Sequence, residues 1–148
     1  LDGLATRVEF LGLDALRDVA VNLAILEVPI VRDGFTSPLR RLIPRRFNSV
    51  GDYVTITNGS ATGDGTFSLS EGGFVERRPV VGGPVTDSVD MYRFNLTTYF
   101  QRILTGEREP SLDLLPIAQT QIPGRSLLAL PREDGTGARL LLATTELP

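Results

Sequence analysis

The sequence predicts an all-β fold, a jelly-roll-like β-sandwich with one short helix. Glycine occurs 15 times and proline 10 times in 148 residues, which punctuates the chain at the roughly 8–12-residue spacing of short strands joined by turns. Between these breaks apolar residues recur mainly with period two, the repeat of a strand. Only one segment sustains a helical stripe. Hydrophobic residues make up 41% of the chain, and a chain of this length buries roughly two-thirds of the surface it exposes when unfolded. One domain over residues 1–148 is therefore expected, with no internal repeat or low-complexity tract to mark a linker.

In residues 5–10, Thr6, Val8 and Phe10 alternate with Arg7 and Glu9, the pattern of a half-buried strand. Residues 13–17 have room for a helical turn only. Residues 19–31 form the strongest strand, with Ala24, Leu26, Val28 and Ile30 on one face. The opposite face carries Leu23 and Ile25 before Glu27. A sandwich strand with one wet face should alternate with polar residues. Leu23 and Ile25 therefore ask for cover, from an intramolecular loop, from the 13–17 turn, or from another chain.

Further strands are expected at residues 39–43, 53–57, 66–69, 92–96, 112–117, 126–130 and 138–144. The helix is expected at residues 98–105. Thr98 with Gln101 fits a capping box, Gly106 offers a left-handed stop, and Tyr99, Phe100, Ile103 and Leu104 supply the apolar stripe. Residues 58–65, Gly82-Gly83-Pro84 and Pro123-Gly124 read as turns or loops, and Asp134-Gly135-Thr136-Gly137 reads as a hairpin turn.

The chain contains no histidine, no cysteine and, since all 15 basic residues are arginine, no lysine. That removes imidazole and thiolate metal ligands, Ser-His-Asp and Cys-His nucleophile systems, the phosphate-binding loop lysine and Schiff-base chemistry. No cofactor or metal is expected. Asp64 in its small-residue loop would need several more oxygen ligands to hold calcium. What survives is carboxylate chemistry: Glu107 with Glu109, or Asp87 with Asp90, would serve glycoside hydrolysis if they met across a cleft. The Asp134 loop lacks the Asp-Thr/Ser-Gly order of aspartic proteases.

A net charge of −3 argues against a nucleic-acid partner, which requires a broad basic face. Arg40, Arg41, Arg45 and Arg46 nevertheless fall close together, and Arg77-Arg78 form a second pair. Two readings stand: solvent-facing strand ends, or contact with an anionic surface such as lipid head groups or an acidic partner. Asn58-Gly59-Ser60 and Asn95-Leu96-Thr97 match the glycosylation acceptor pattern. Tryptophan is absent, which leaves Tyr53 as an aromatic platform for a sugar.

No apolar run approaches the ~20 residues of a membrane-spanning helix. The chain opens at Leu1 without methionine or a signal-peptide pattern, so a mature product or a piece of a longer polypeptide is expected, with any targeting signal upstream.

Three stretches carry a resemblance: Val21-Asn22-Leu23-Ala24-Ile25-Leu26-Glu27-Val28-Pro29, Pro38-Leu39-Arg40-Arg41-Leu42, and the run from Tyr92 through Phe94-Asn95-Leu96-Thr97-Thr98-Tyr99-Phe100-Gln101 to Gly106. They resemble the C-terminal half of a Bacteroidota surface lipoprotein family of unknown function, in which a Phe-Asn-Ile-Thr-x-Tyr-x-Gln segment opens a short helix. Gly124-Arg125-Ser126 resembles that family's Asn-Arg strand entry with the asparagine replaced. The resemblance implies a sandwich that forms the C-terminal part of a longer lipoprotein. It also implies location in the cell envelope, at the outer membrane or cell surface, with the membrane reached only through an upstream lipid anchor.

The function these readings favour is a non-catalytic structural or protein-interaction module. Its partner would be another chain or another domain of the same precursor, and its candidate interface residues are Leu23, Ile25, Arg40, Arg41, Arg45 and Arg46. A carbohydrate-binding module and a carboxylate-dependent glycoside hydrolase are the alternatives.

Overall fold

A computed structural model describes residues 5–34, 37–57, 72–80, 87–116 and 125–148. The chain forms β1 (Thr6–Glu9), a single 3-10 turn (Leu13–Leu16), β2 (Val19–Val31), β3 (Leu42–Phe47), β4 (Tyr53–Thr55), β5 (Gly72–Pro79) and β6 (Ser88–Asn95). Helix α1 (Thr97–Leu104) follows, then β7 (Ser111–Pro116), β8 (Leu127–Leu128) and β9 (Arg139–Glu146). Among the described residues every strand pair is antiparallel. One sheet runs β1-β7-β3-β4; the other runs β5-β6-β2-β8, with β9 also on β2. This is the expected all-β sandwich-like fold with one short helix. The expected strand at 66–69, the 58–65 loop and the Gly82-Gly83-Pro84 and Pro123-Gly124 turns lie outside the described residues.

The core fills as the alternation predicts. Ala24, Leu26, Val28 and Ile30 are all buried and meet Tyr92 and Phe94 from β6 and Leu42, Leu112 and Leu114 from the facing sheet. Phe10 packs edge-on against Phe100 at 5.3 Å between ring centroids. The buried Tyr92 hydroxyl is paid off locally: it donates to the Leu39 carbonyl at 2.5 Å and lies 2.6 Å from Ser126 Oγ, which itself accepts from the Leu39 amide. Leu13 and Leu16 of the 3-10 turn pack against this core, so that turn does not cover Leu23 and Ile25.

Strand β2 is longer than β6, which pairs only with Ile25 to Pro29. Beyond that point α1 takes over. Thr97 Oγ1 accepts from the Ala24 amide at 3.0 Å and Gln101 Oε1 accepts from the Val21 amide at 2.6 Å, so side chains continue the ladder where the neighbouring strand has ended. This corrects the capping box expected at Thr98 and Gln101. The helix begins one residue earlier, and Asn95 Oδ1 receives both the Thr97 amide and its hydroxyl, at 3.1 and 2.7 Å. Gln101 is occupied by a long-range bond instead of a local one.

Strands β8 and β9 lie along one edge of β2. Leu127 and Leu128 pair with Val31 and Ile30, Ala129 donates to the Pro29 carbonyl, and Arg139 to Glu146 pair with Glu27 down to Val19. They act as one interrupted strand with residues 130–138 looped out between. Asp134-Gly135-Thr136-Gly137 is a turn, with Asp134 Oδ1 accepting from the Thr136 amide and hydroxyl, but it is not the hairpin expected, since both flanking strands pair with β2. The interruption also explains a proline in a central strand. The donor that Pro29 lacks would have faced Ala129, the last paired residue before the chain loops away.

Pro44 interrupted the strand expected at 39–43, yet β3 runs through it. Its carbonyl accepts from the Ile56 amide, so its missing N–H also faces that side, where the pairing with β4 ends, and the pairing with β7 is spared. Strand β5 was not expected. Its opening Gly72 and Gly73 have φ of 82° and 83°, and a side chain on either would strike backbone: the Arg93 carbonyl at Gly72, the Leu42 carbonyl at Gly73.

Candidate functional site

The outer face of the β2 sheet carries the two apolar residues singled out in the sequence. Ile25 sits opposite Leu141 and Leu23 opposite Ala143, so the four side chains share one strip. Leu23 is 43% exposed and Leu141 38%, while Ile25 is half-buried. Leu142, one residue on, is exposed at the sheet margin. Among the described residues β9 pairs on one side only, leaving its other edge open beside this strip.

The strip ends at Glu27. This carboxylate is only 6% exposed although it lies on the outer face, because two arginines close over it. Oε1 accepts from Arg93 Nε at 2.9 Å, and Oε2 accepts from Arg139 Nε at 2.9 Å. Arg93 faces Glu27 from β6 and Arg139 faces it from β9, so the cluster ties three strands together. Beyond it a hollow of about 260 Å³ lies between Pro29 and Met91 on the sheet and Thr136 of the looped-out segment.

The four clustered arginines are not brought together on one face. Arg41 lies over the Phe74 ring, 4.4 Å from its centroid, and its Nε donates to the Gly72 carbonyl. Arg40 is exposed beside it, and its carbonyl receives the Val75 amide. Arg45 and Arg46 are consecutive in β3 and so point to opposite faces. Arg45 stands opposite Asp113 and Thr55, with Nε buried and without a partner. Arg46 lines the end of the sandwich near Tyr99 and Arg108.

A second surface appears on the outer face of the β3 sheet. The β3–β4 connection is closed by Asn48, whose Oδ1 accepts from the Val50 and Asp52 amides at 3.0 and 2.8 Å. That turn sets Phe47 opposite Tyr53, with rings stacked at 4.2 Å between centroids. Phe47 is 50% exposed. The Tyr53 hydroxyl donates to buried Asp113 at 3.3 Å, and burial followed by the Asp113 charge pushes its pKa up. The pairing of β3 with β7 stops at Arg45 and Asp113, and in the split beyond it lies a hollow of about 220 Å³.

Of the carboxylates considered for acid–base work, Glu107 and Glu109 both line the hollow beside β3, whereas Asp90 is engaged within the fold. Asp90 is buried and held by Arg77 at 3.0 Å and by Arg32, and hydrogen bonds from Arg77 and then Arg32 keep its pKa below the usual carboxylate value. Asp134 is likewise lowered, by the Thr136 hydroxyl and amide. Among the described residues no cluster of three or more potential metal ligands occurs, and no helix is long and apolar enough to cross a membrane. Asn95 is engaged with Thr97, and Asn58 lies outside the described residues.

Sequence reasoning missed the Glu27 clamp, the exposed leucines of β9 and the Phe47–Tyr53 pair. The signals were the Leu140-Leu141-Leu142 run and the symmetric placement of Phe47 and Tyr53 about the Asn48 turn. Compared with known proteins, the chain matches no family model, no curated protein and no solved structure.

Proposed function

We propose that this domain is a non-catalytic protein-interaction module of a bacterial cell-envelope lipoprotein or assembly, and that it docks through the outer face of the β2 sheet and the open edge of β9. The observation that carries the reading is the strip of Leu23, Ile25 and Leu141 lying beside an edge strand paired on one side only among the described residues. Exposed apolar side chains next to unpaired backbone donors and acceptors invite strand addition by another chain or by another domain of the precursor. Attachment through an upstream lipid anchor rests on the resemblance of the Phe94-to-Gln101 segment to the Bacteroidota surface lipoproteins. Asp90 is held by Arg77 and Arg32 with its carboxyl below the usual value, which does not suit it to a general-acid role.

The test is site-specific photocrosslinking in the native cell envelope. A photoreactive residue at position 23 or 141 should yield a discrete adduct. One at Val50, which is exposed in the β3–β4 turn of the other sheet, should not. No adduct from either strip position, or equal adducts from all three, would refute the reading.

A further inference from the structure

We propose that the split between β3 and β7 is a binding site for one pyranose ring of a neutral oligosaccharide. The site lies on the β3 sheet, so it is separate from the β2-sheet surface assigned to protein docking and does not depend on it.

Its aromatic wall is built for one-sided stacking. Tyr53 backs Phe47 in a near-parallel stack with 28° between the ring planes, and Phe47 rather than Tyr53 lines the hollow. One ring face is covered by Tyr53, and Phe47 keeps half of its surface exposed for the C–H face of a sugar. The hydroxyl of Tyr53, tethered to Asp113, fixes the backing ring in place. Rigid, pre-stacked aromatic surface lowers the ordering cost that a single mobile ring would carry on binding.

The polar lining selects the ligand. Arg7, Arg46 and Arg108 contribute three guanidiniums, and Glu107, Glu109 and Asp113 contribute three carboxylates, so the formal charges cancel. A phosphate or sulfate group would meet as many carboxylates as arginines. A sugar hydroxyl donates and accepts at once and can bridge a carboxylate and a guanidinium, which a lining with the two in equal number favours. At about 220 Å³ the hollow is smaller than the ~300 Å³ and upward of drug-sized pockets, which limits it to a single ring with the rest of the chain outside.

The experiment is NMR and calorimetric titration of the whole chain with maltotriose, cellotriose, mannotriose and chitotriose, with glucose 6-phosphate as the anionic arm. At least one neutral trisaccharide should bind with millimolar or better affinity, shifting the amides of residues 46–48 and 111–113. Phe47→Ala and Asp113→Asn should each weaken it by about tenfold or more. Phe47→Leu, which keeps a packing side chain but loses the ring face, should weaken it equally, and Leu11→Ser, at an exposed position outside the lining, should leave it unchanged. Thermal melts accompany each variant, and since Phe47 is half exposed its replacements should remain folded. The proposal is overturned if no neutral probe binds at about 10 mM. It is also overturned if binding survives both Phe47 replacements, or if glucose 6-phosphate binds more tightly than every neutral probe.

Discussion

Replacing Glu27 with glutamine should destabilise the domain by about 2–4 kcal/mol. The side chain is almost fully buried and accepts from Arg93 at 2.9 Å and from Arg139 at 2.9 and 2.8 Å. Charge-assisted hydrogen bonds contribute roughly 1.5–3 kcal/mol each, and stranding buried charges by removing their partner costs roughly 3–5 kcal/mol. Both arginines retain some exposure, 24% and 32%, and that solvent screening sets the expectation near the lower ends. Glutamine keeps one acceptor for one guanidinium but turns an NH2 group toward the other, donor against donor. With a urea dependence of about 2 kcal/mol per molar, the unfolding midpoint should fall by about 1–2 M without a change in slope. Because β9 is the outermost of the three strands so joined, its amides should also gain hydrogen exchange before those of β6 do. A cycle of Glu27→Gln with Arg139→Gln should return a coupling of about 1 kcal/mol or more. A loss below about 0.5 kcal/mol, the scale of an exposed ion pair, would show that the clamp is ornamental to stability.

Gln101→Ala should cost about 1–3 kcal/mol by leaving the Val21 amide without its acceptor, while Gln101→Glu, which keeps the oxygen, should recover most of it in the same denaturation assay. For Asp90 the folded pKa lies below the unfolded one, near 3.9, so its contribution is present above that pH and is lost as pH falls through the folded value. Melting temperature measured from pH 5 downward should therefore decline in the wild type. It should decline less in Asp90→Asn, whose lower stability at neutral pH reflects the stranded Arg32 and Arg77. Parallel curves for the two proteins would contradict the assignment.

The alternation of Ala24, Leu26, Val28 and Ile30 was legible because period two records which side of a strand meets the core, whatever the partner strands are. The helix was legible within a residue, since Tyr99, Phe100 and Ile103 bury as their spacing demands. Gln101 was not. The same side chain satisfies a local capping pattern and a remote amide, and only the end of β6 at Asn95 decides between them. Strand β5 escaped because glycine pairs usually signal turns, whereas Gly72 and Gly73 serve close approach to neighbouring backbone. On the surfaces, Leu23 and Ile25 could be read as an uncovered face, but their neighbours Leu141 and Ala143 lie more than a hundred residues away in the chain. The four arginines looked like one patch because sequence proximity hides the alternation of a strand, and the Phe74 ring that engages Arg41 comes from the strand that was missed.

The looped-out residues 130–138 divide labour along the sheet edge in a way that bears on how this domain can change. The strand is anchored by pairing on both sides of the excursion, and the base is pinched shut where the Ala138 amide meets the Leu130 carbonyl, against which Gly137 leaves no room for a side chain. Registry of β9 is thus set by Glu27 and its own pairing, not by how many residues lie between the two anchors. Doubling the length of a flexible loop costs only about 0.6 kcal/mol in closure entropy. The excursion is a natural insertion point: sequence added between Pro131 and Thr136 can be exchanged to carry a new epitope or recognition loop across the outer face while the sandwich beneath keeps its geometry.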